Sequence, residues 1–158
     1  MKKFLLIIGI AAAILIFSAC EHQPKAPDIV TAADRNISVV YGGKNYDCHM
    51  NYVSPATASV SMNTPENIQG LTLRRSDGTY ALSLGGLICR TDQSILPDQS
   101  VLMKTIQTFD LLGKNIGTQN ITLKSSSDKK YEFILNTPGQ TAVITTNEKG
   151  NITKIQIP

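Results

Sequence analysis

No tryptophan occurs in this chain and aromatic residues make up 6% of it, which argues against a carbohydrate platform built on exposed rings. Histidine is nearly as scarce: His22 and His49 are the whole supply. His22 sits among polar neighbours near the N terminus, so a Ser-His-Asp arrangement would have to use His49. The nearest acid in sequence is Asp47, but two polar residues two apart are the ordinary appearance of a wet strand face. No glycine-flanked serine forms a nucleophile elbow. No glycine loop is patterned for phosphate and no Cys/His spacing fits zinc. These absences argue for a chain that is not an enzyme and takes no cofactor or metal. Past Lys2-Lys3, the basic pairs are Arg74-Arg75 and Lys129-Lys130, too little positive density for nucleic acid.

What is present starts at residue 1. MKKFLLIIGIAAAILIFSAC opens with two lysines, continues through an uncharged run from Phe4 to Phe17, and closes on Ser18, Ala19 and Cys20. The run is shorter than the roughly 20 residues of a spanning helix, and its flanks are those of a secretory signal. A small residue before a cysteine at the end of such a run resembles the lipobox of bacterial lipoproteins. The resemblance implies cleavage between Ala19 and Cys20 and a diacylglyceryl group on the Cys20 thiol; Phe17 stands where that family usually has an aliphatic residue. The alternatives are an ordinary signal peptide with a coincidental cysteine, or an uncleaved anchor helix. One acyl chain gives marginal, reversible binding, whereas two or three hold a protein at a bilayer. The mature domain is therefore expected outside the cytoplasm, lipid-anchored to a cell membrane or outer membrane. No second long apolar run follows.

Removing 19 of the 158 residues leaves 139, enough for one domain with its own core. Lys2 and Lys3 leave with the signal, so 13 basic residues face 12 acidic ones and the mature charge is near +1. Cys48 and Cys89 remain as an even pair in an exported chain. They form either a disulfide, stabilising by roughly 3–4 kcal/mol in the chain-entropy model, or two small buried thiols.

Glu21 to about Ala33 contains two prolines and no apolar periodicity, which predicts a tether over 20–34 and a domain over 35–158. Period-two alternation then dominates. Ile37, Val39 and Tyr41 precede a Gly42-Gly43 hairpin turn; Tyr46, Cys48, Met50 and Tyr52 share a face opposite His49 and Asp47. Ala58, Val60 and Met62 follow, then Leu71 and Leu73, then Tyr80, Leu82 and Leu84 up to Gly85-Gly86. That pair predicts a bulge or bend, since Leu87 and Cys89 carry on with the opposite parity. Later strands start at Ile121, Tyr131, Ala142 and Ile152, with Ser125 to Asp128 as a turn. The pattern predicts antiparallel strands, apolar on one face and polar on the other.

One segment is helical in pattern. Val101, Leu102, Ile106, Phe109 and Leu112 recur at helical spacing, with Asp98 as expected N-cap, Gly113 as expected C-cap glycine, and Lys104, Thr105, Gln107 and Thr108 on the expected wet face. An apolar stripe needs a surface, and the sheet's apolar face supplies it. The fold class is α+β, mostly β: a curved antiparallel sheet, or half-barrel, around one main helix.

The strand ending at Thr64-Pro65, the run Asn67 to Leu71, Gly78-Thr79-Tyr80, Leu84 to Leu87, Leu96-Pro97 and the terminal hairpin from Asn147 to Ile155 together resemble the lipoprotein-carrier (LolA/LolB-like) half-barrel. That likeness covers about residues 35–158 and is an order of elements, not an active-site signature. It implies a cavity between sheet and helix holding acyl chains or another apolar ligand. The residues for such a face are Tyr46, Met50, Val60, Met62, Leu73, Leu82, Leu84, Leu102, Ile106 and Phe109, which read equally as core. Two functions stay open: a non-catalytic lipoprotein binding a lipid or similar apolar ligand, and an interaction or envelope-sensing module docking another envelope protein.

Overall fold

The computed structural model describes residues 25–92 and 97–158. The expected signal segment 1–19, its cleavage residue Ala19, the lipidation residue Cys20, and His22 lie outside the described residues, as does Leu96.

Ten strands form a single curved, open sheet, and the described chain is mostly β with one α-helix. The strands are β1 (Ala33–Tyr41), β2 (Lys44–Ser54), β3 (Thr57–Thr64), β4 (Thr72–Ser76), β5 (Thr79–Leu84), β6 (Leu87–Thr91), β7 (Ile121–Ser127), β8 (Lys130–Thr137), β9 (Gln140–Asn147) and β10 (Ile152–Ile157). A 3-10 turn spans Glu66–Ile68, and the helix α1 spans Val101–Asn115. Across the sheet the order is β6-β5-β4-β3-β2-β1-β10-β9-β8-β7. Two antiparallel meanders, β1 to β6 and β7 to β10, therefore meet at β1 and β10. That junction is parallel, with Ser38 beside Lys154 and Tyr41 beside Ile157. It departs from the antiparallel expectation because no hairpin links the two strands, so no tight turn dictates their direction.

This order explains where the helix lies. β6 ends at one edge and β7 begins at the other, so the segment between them must cross from edge to edge. α1 makes that crossing over the apolar face, burying Leu102, Met103, Ile106, Phe109 and Leu112 against Met50, Val60, Leu73, Leu135, Ile144 and Ile155. The curved sheet covers more of the helix than a single stripe. Thr105 and Thr108, expected on the wet face, are buried. Each hydroxyl donates to a carbonyl four residues back, Val101 and Lys104 respectively, at 2.7 Å, so burial leaves neither unsatisfied. The Gln140 side-chain amide on β9 also donates to the Thr108 hydroxyl.

The helix ends differ from expectation by a few residues. Ser100, not Asp98, is the N-cap: its Oγ accepts from the Met103 N–H at 3.2 Å. Gly113 lies inside α1, and Gly117, at φ +79°, takes the left-handed position past the end. Gly85-Gly86 is a two-residue hairpin turn, with both glycines at positive φ and Leu84 paired to Leu87. The expected bulge was this turn: reversal of the chain returns Leu87 and Cys89 to the face of Leu84 and Leu82. Ser125 to Ser127 are strand, and Asp128-Lys129 make the turn.

The expected tether is shorter than its composition suggests. Ile29 is buried in the core, and the Val30 N–H donates to the Gly150 carbonyl at 2.9 Å, forming a bridge with Asn151. Apolar Ile29 has a core to enter, which holds the preceding residues on the β9–β10 turn.

Candidate functional site

The residues expected to form an apolar ligand face are for the most part core. Met50, Val60, Ile106 and Phe109 are 0% exposed, and Met62, Leu73 and Leu102 are also buried. The Phe109 ring packs against Tyr52 with centroids 5.3 Å apart. Tyr46 and Leu82 are half-buried, and Leu84 is exposed. The helix side chains pack into one core cluster with this face. Seven of the ten are thus buried, Met50, Val60, Met62 and Leu73 on the sheet beneath α1 and Leu102, Ile106 and Phe109 on α1 itself.

Beyond the helix, none of the described elements lies over the same face. Leu82 pairs with Cys89 and Leu84 with Leu87, so these four share one flank of the sheet. Leu87 is 80% exposed and Ile88, on the reverse face, 67%. β6 is an edge strand with a single strand neighbour. Edge strands present unpaired backbone N–H and C=O groups, and proteins usually blunt them with charge. β7, the other edge, carries Lys124 and three serines, whereas β6 carries Leu87, Ile88, Cys89 and a single Arg90. This hairpin is the candidate site. Alternation alone placed Leu84 in the core; the signal that identifies the flank is that one helix is too narrow to cover ten strands.

Cys48 and Cys89 are both free, which corrects the disulfide alternative. They sit on β2 and β6, four strands apart, or about 19 Å at the usual strand spacing, far beyond the reach of a bridge. Cys48 is buried, and that burial, with the nearby Asp47 charge, pushes its thiol up to about 12. Cys89 is exposed on the edge strand.

One polar cluster escaped the sequence reading. Arg75 on β4 points into the core, 6% exposed, and forks onto Asp110 of α1: its two terminal nitrogens lie 2.6 and 2.7 Å from the two carboxylate oxygens. The Tyr52 hydroxyl donates to the same carboxylate at 2.9 Å. Burial, then the bond to Asp110, holds the Tyr52 phenol above its ordinary range. The Arg75 guanidinium is raised chiefly by Asp110, against the opposing effect of burial. Nothing in this closed cluster is open to a substrate; its work is to fix the helix on the sheet.

His49 lies on the wet face as expected, but with other partners. Its Nε2 is 2.9 Å from Asp34 Oδ1 and its Nδ1 is 3.1 Å from Asn36 Oδ1, both on β1, while Asp47 contacts Thr64 instead. Ser61 stands opposite His49 in the register but bonds the Thr72 hydroxyl at 2.8 Å. Both ring nitrogens are therefore engaged, and neither faces a hydroxyl it would deprotonate. Among the described residues no group of three or more His, Cys, Asp or Glu is placed to hold a metal ion.

A second surface feature is a cleft of about 330 Å³ between residues 26–29 and the region after α1, with Ile29, Ile116, Ile121, Leu123 and Phe133 among its walls. Comparison with known proteins finds no match: no family model, no curated protein and no solved structure is similar to this chain.

Proposed function

We propose that this chain is a lipid-anchored, extracytoplasmic, non-catalytic interaction module that binds an apolar segment of a partner protein on the β5–β6 hairpin. The observation that carries the reading is the edge strand β6, which joins an edge with no second strand partner among the described residues to the exposed side chains of Leu87 and Ile88. A small-molecule site encloses most of its ligand, and an open sheet flank has no second wall to do so. A strand edge suits an extended peptide that adds to the sheet, with backbone bonds for affinity and alternate side chains for selectivity. Anchoring through Cys20 holds the domain outside the cytoplasm, where its β6 edge meets an envelope partner. The half-barrel resemblance accords with a curved sheet, and Ile106 and Phe109 of α1 are buried in the core beside its apolar face.

Photo-crosslinking in living cells tests this directly, with a photoreactive residue at position 87 or 88 and a control at exposed Thr153. A discrete adduct from 87 and 88, absent at 153 and lost on Arg90→Pro, is the expected result. A lipid of defined mass retained by the purified domain, with no adduct from either position, overturns it in favour of lipid carriage. The anchor is checked separately by palmitate labelling, which Cys20→Ser abolishes.

A further inference from the structure

We infer that the cleft beside the C-terminal end of α1 is the surface this chain sets against the bilayer, its apolar rim dipping into the outer face of the membrane that holds Cys20. The inference rests on the lipidation of Cys20 put forward above. Its first support is reach. The described residues begin at Lys25, and Ala26, Pro27, Asp28 and Ile29 line the cleft. Four residues separate Cys20 from Lys25, so the two Cα atoms are at most about 18 Å apart. A fixed point that close to one end of the domain keeps this end, and not the β6 edge, next to the lipid.

The second support is the chemistry of the rim. Ile116, just past the helix, is 43% exposed and Leu123 on β7 is 46% exposed, and both stand at the cleft wall. Large apolar side chains left open at the anchored end lose their contact with water when they enter the interface. The third is charge. Lys25 and Lys114 each lie within two residues of a lining residue, Lys124 next to Leu123 is paired with Glu132 at 3.4 Å, and Asp28 is the one acid among the walls. Cations around an apolar patch match an anionic headgroup layer, each contributing about 1 kcal/mol near the surface.

Because the chain has no tryptophan, a single introduced one is an unambiguous reporter. The full lipidated chain carrying Ile116→Trp, Leu123→Trp or, at the opposite edge, Leu87→Trp is reconstituted into phosphatidylcholine–phosphatidylglycerol vesicles with brominated acyl chains. Expected is emission from positions 116 and 123 that is blue-shifted and quenched at least two-fold more than from position 87. Equal quenching at all three positions overturns the inference, leaving an anchored domain with no preferred face. A blue shift at 116 and 123 without bromolipid quenching also overturns it, since a second copy or another protein then covers the cleft. The mass of the Cys20 peptide is read on the same sample. A chain that lacks the lipid and stays in the supernatant defeats the anchor reading as well, which separates the two failures.

Discussion

Asp110 receives both terminal nitrogens of Arg75 in a two-pronged contact, 2.6 and 2.7 Å long, between the middle of the crossing helix and the fourth strand. With side-chain exposures of 8% and 18%, the pair is largely removed from water. Its cost of desolvation is offset only while both partners are present. Asp110→Ala leaves a buried guanidinium without its counter-charge and strips the Tyr52 hydroxyl of its acceptor. A loss of about 3–5 kcal/mol in urea unfolding is expected. The double variant Arg75→Met, Asp110→Leu removes both charges, and its stability should lie closer to the parent than to Asp110→Ala. Equal losses in the two variants would mean that the fork itself, and not the orphaned charge, sets the cost.

The two cysteines should behave as different chemical species. Thiolate is the reactive form, and Cys48 is buried with its thiol pushed up to about 12, whereas Cys89 is exposed. A maleimide reagent should label Cys89 within minutes at neutral pH and reach Cys48 only on unfolding, as intact mass will show.

Cys48 also carries a pH dependence whose sign follows from its environment. In the unfolded chain the thiol ionises near 9, and in the folded chain only near 12. Between these values the unfolded state releases a proton that the folded state keeps, so stability falls as pH rises through this window. The slope from this group is at most about 1.4 kcal/mol per pH unit. Tyr52, also raised, pulls in the same direction at high pH. Urea midpoints measured below and above pH 9 should converge toward a flatter line in Cys48→Val; an unchanged slope would assign the effect to other groups.

Gly150 is the position where the N-terminal segment depends on a missing side chain. At φ +76°, a Cβ built there would stand 1.8 Å from the Asp28 carbonyl oxygen. Gly150→Ala must displace residues 28–30 or the β9–β10 turn. Gly42, at φ +55° with open space around it, bears only the backbone penalty, about 1 kcal/mol. Gly150→Ala should lose clearly more stability than Gly42→Ala, and it should make the chain before Ala33 sensitive to limited proteolysis.

Strand alternation was legible because the side chains of Met50, Val60, Leu73 and Ile144 obey the period of two that a one-sided sheet imposes. The helix was legible for the same reason at its own period. What escaped were features that depend on non-local geometry. Arg75 alternates with Arg74 like any wet pair, and only the arrival of Asp110 from a segment 35 residues away makes its burial tolerable. Ile29 sits in a proline-bearing stretch that composition alone assigns to a tether, but it enters the core while its neighbour Val30 bonds the Gly150 carbonyl. Thr105 and Thr108 look wet in a helical wheel, but a sheet that curves around the helix buries a wider arc. Leu84 and Leu87 share the alternation of the core strands, and their exposure follows from the helix being too narrow to reach them.

That contrast between covered and uncovered leucines separates core from binding surface by experiment. Phe109 is 0% exposed and packs on Tyr52, so Phe109→Ala opens a cavity under the helix and should cost about 3–5 kcal/mol. Ile106→Ala, equally buried, should cost about 2–5 kcal/mol. Leu84 and Leu87 lie on the same side of the sheet but past the helix, where truncation removes little packing; Leu87→Ala should change stability by no more than about 0.5 kcal/mol. If the hairpin is a docking edge, Leu87→Ala and Ile88→Ala instead weaken the crosslinked adduct while the unfolding midpoint stays put. A stability loss at Leu87 as large as that at Ile106 would show that the flank is covered in solution, and the docking edge would have to be sought elsewhere on the sheet.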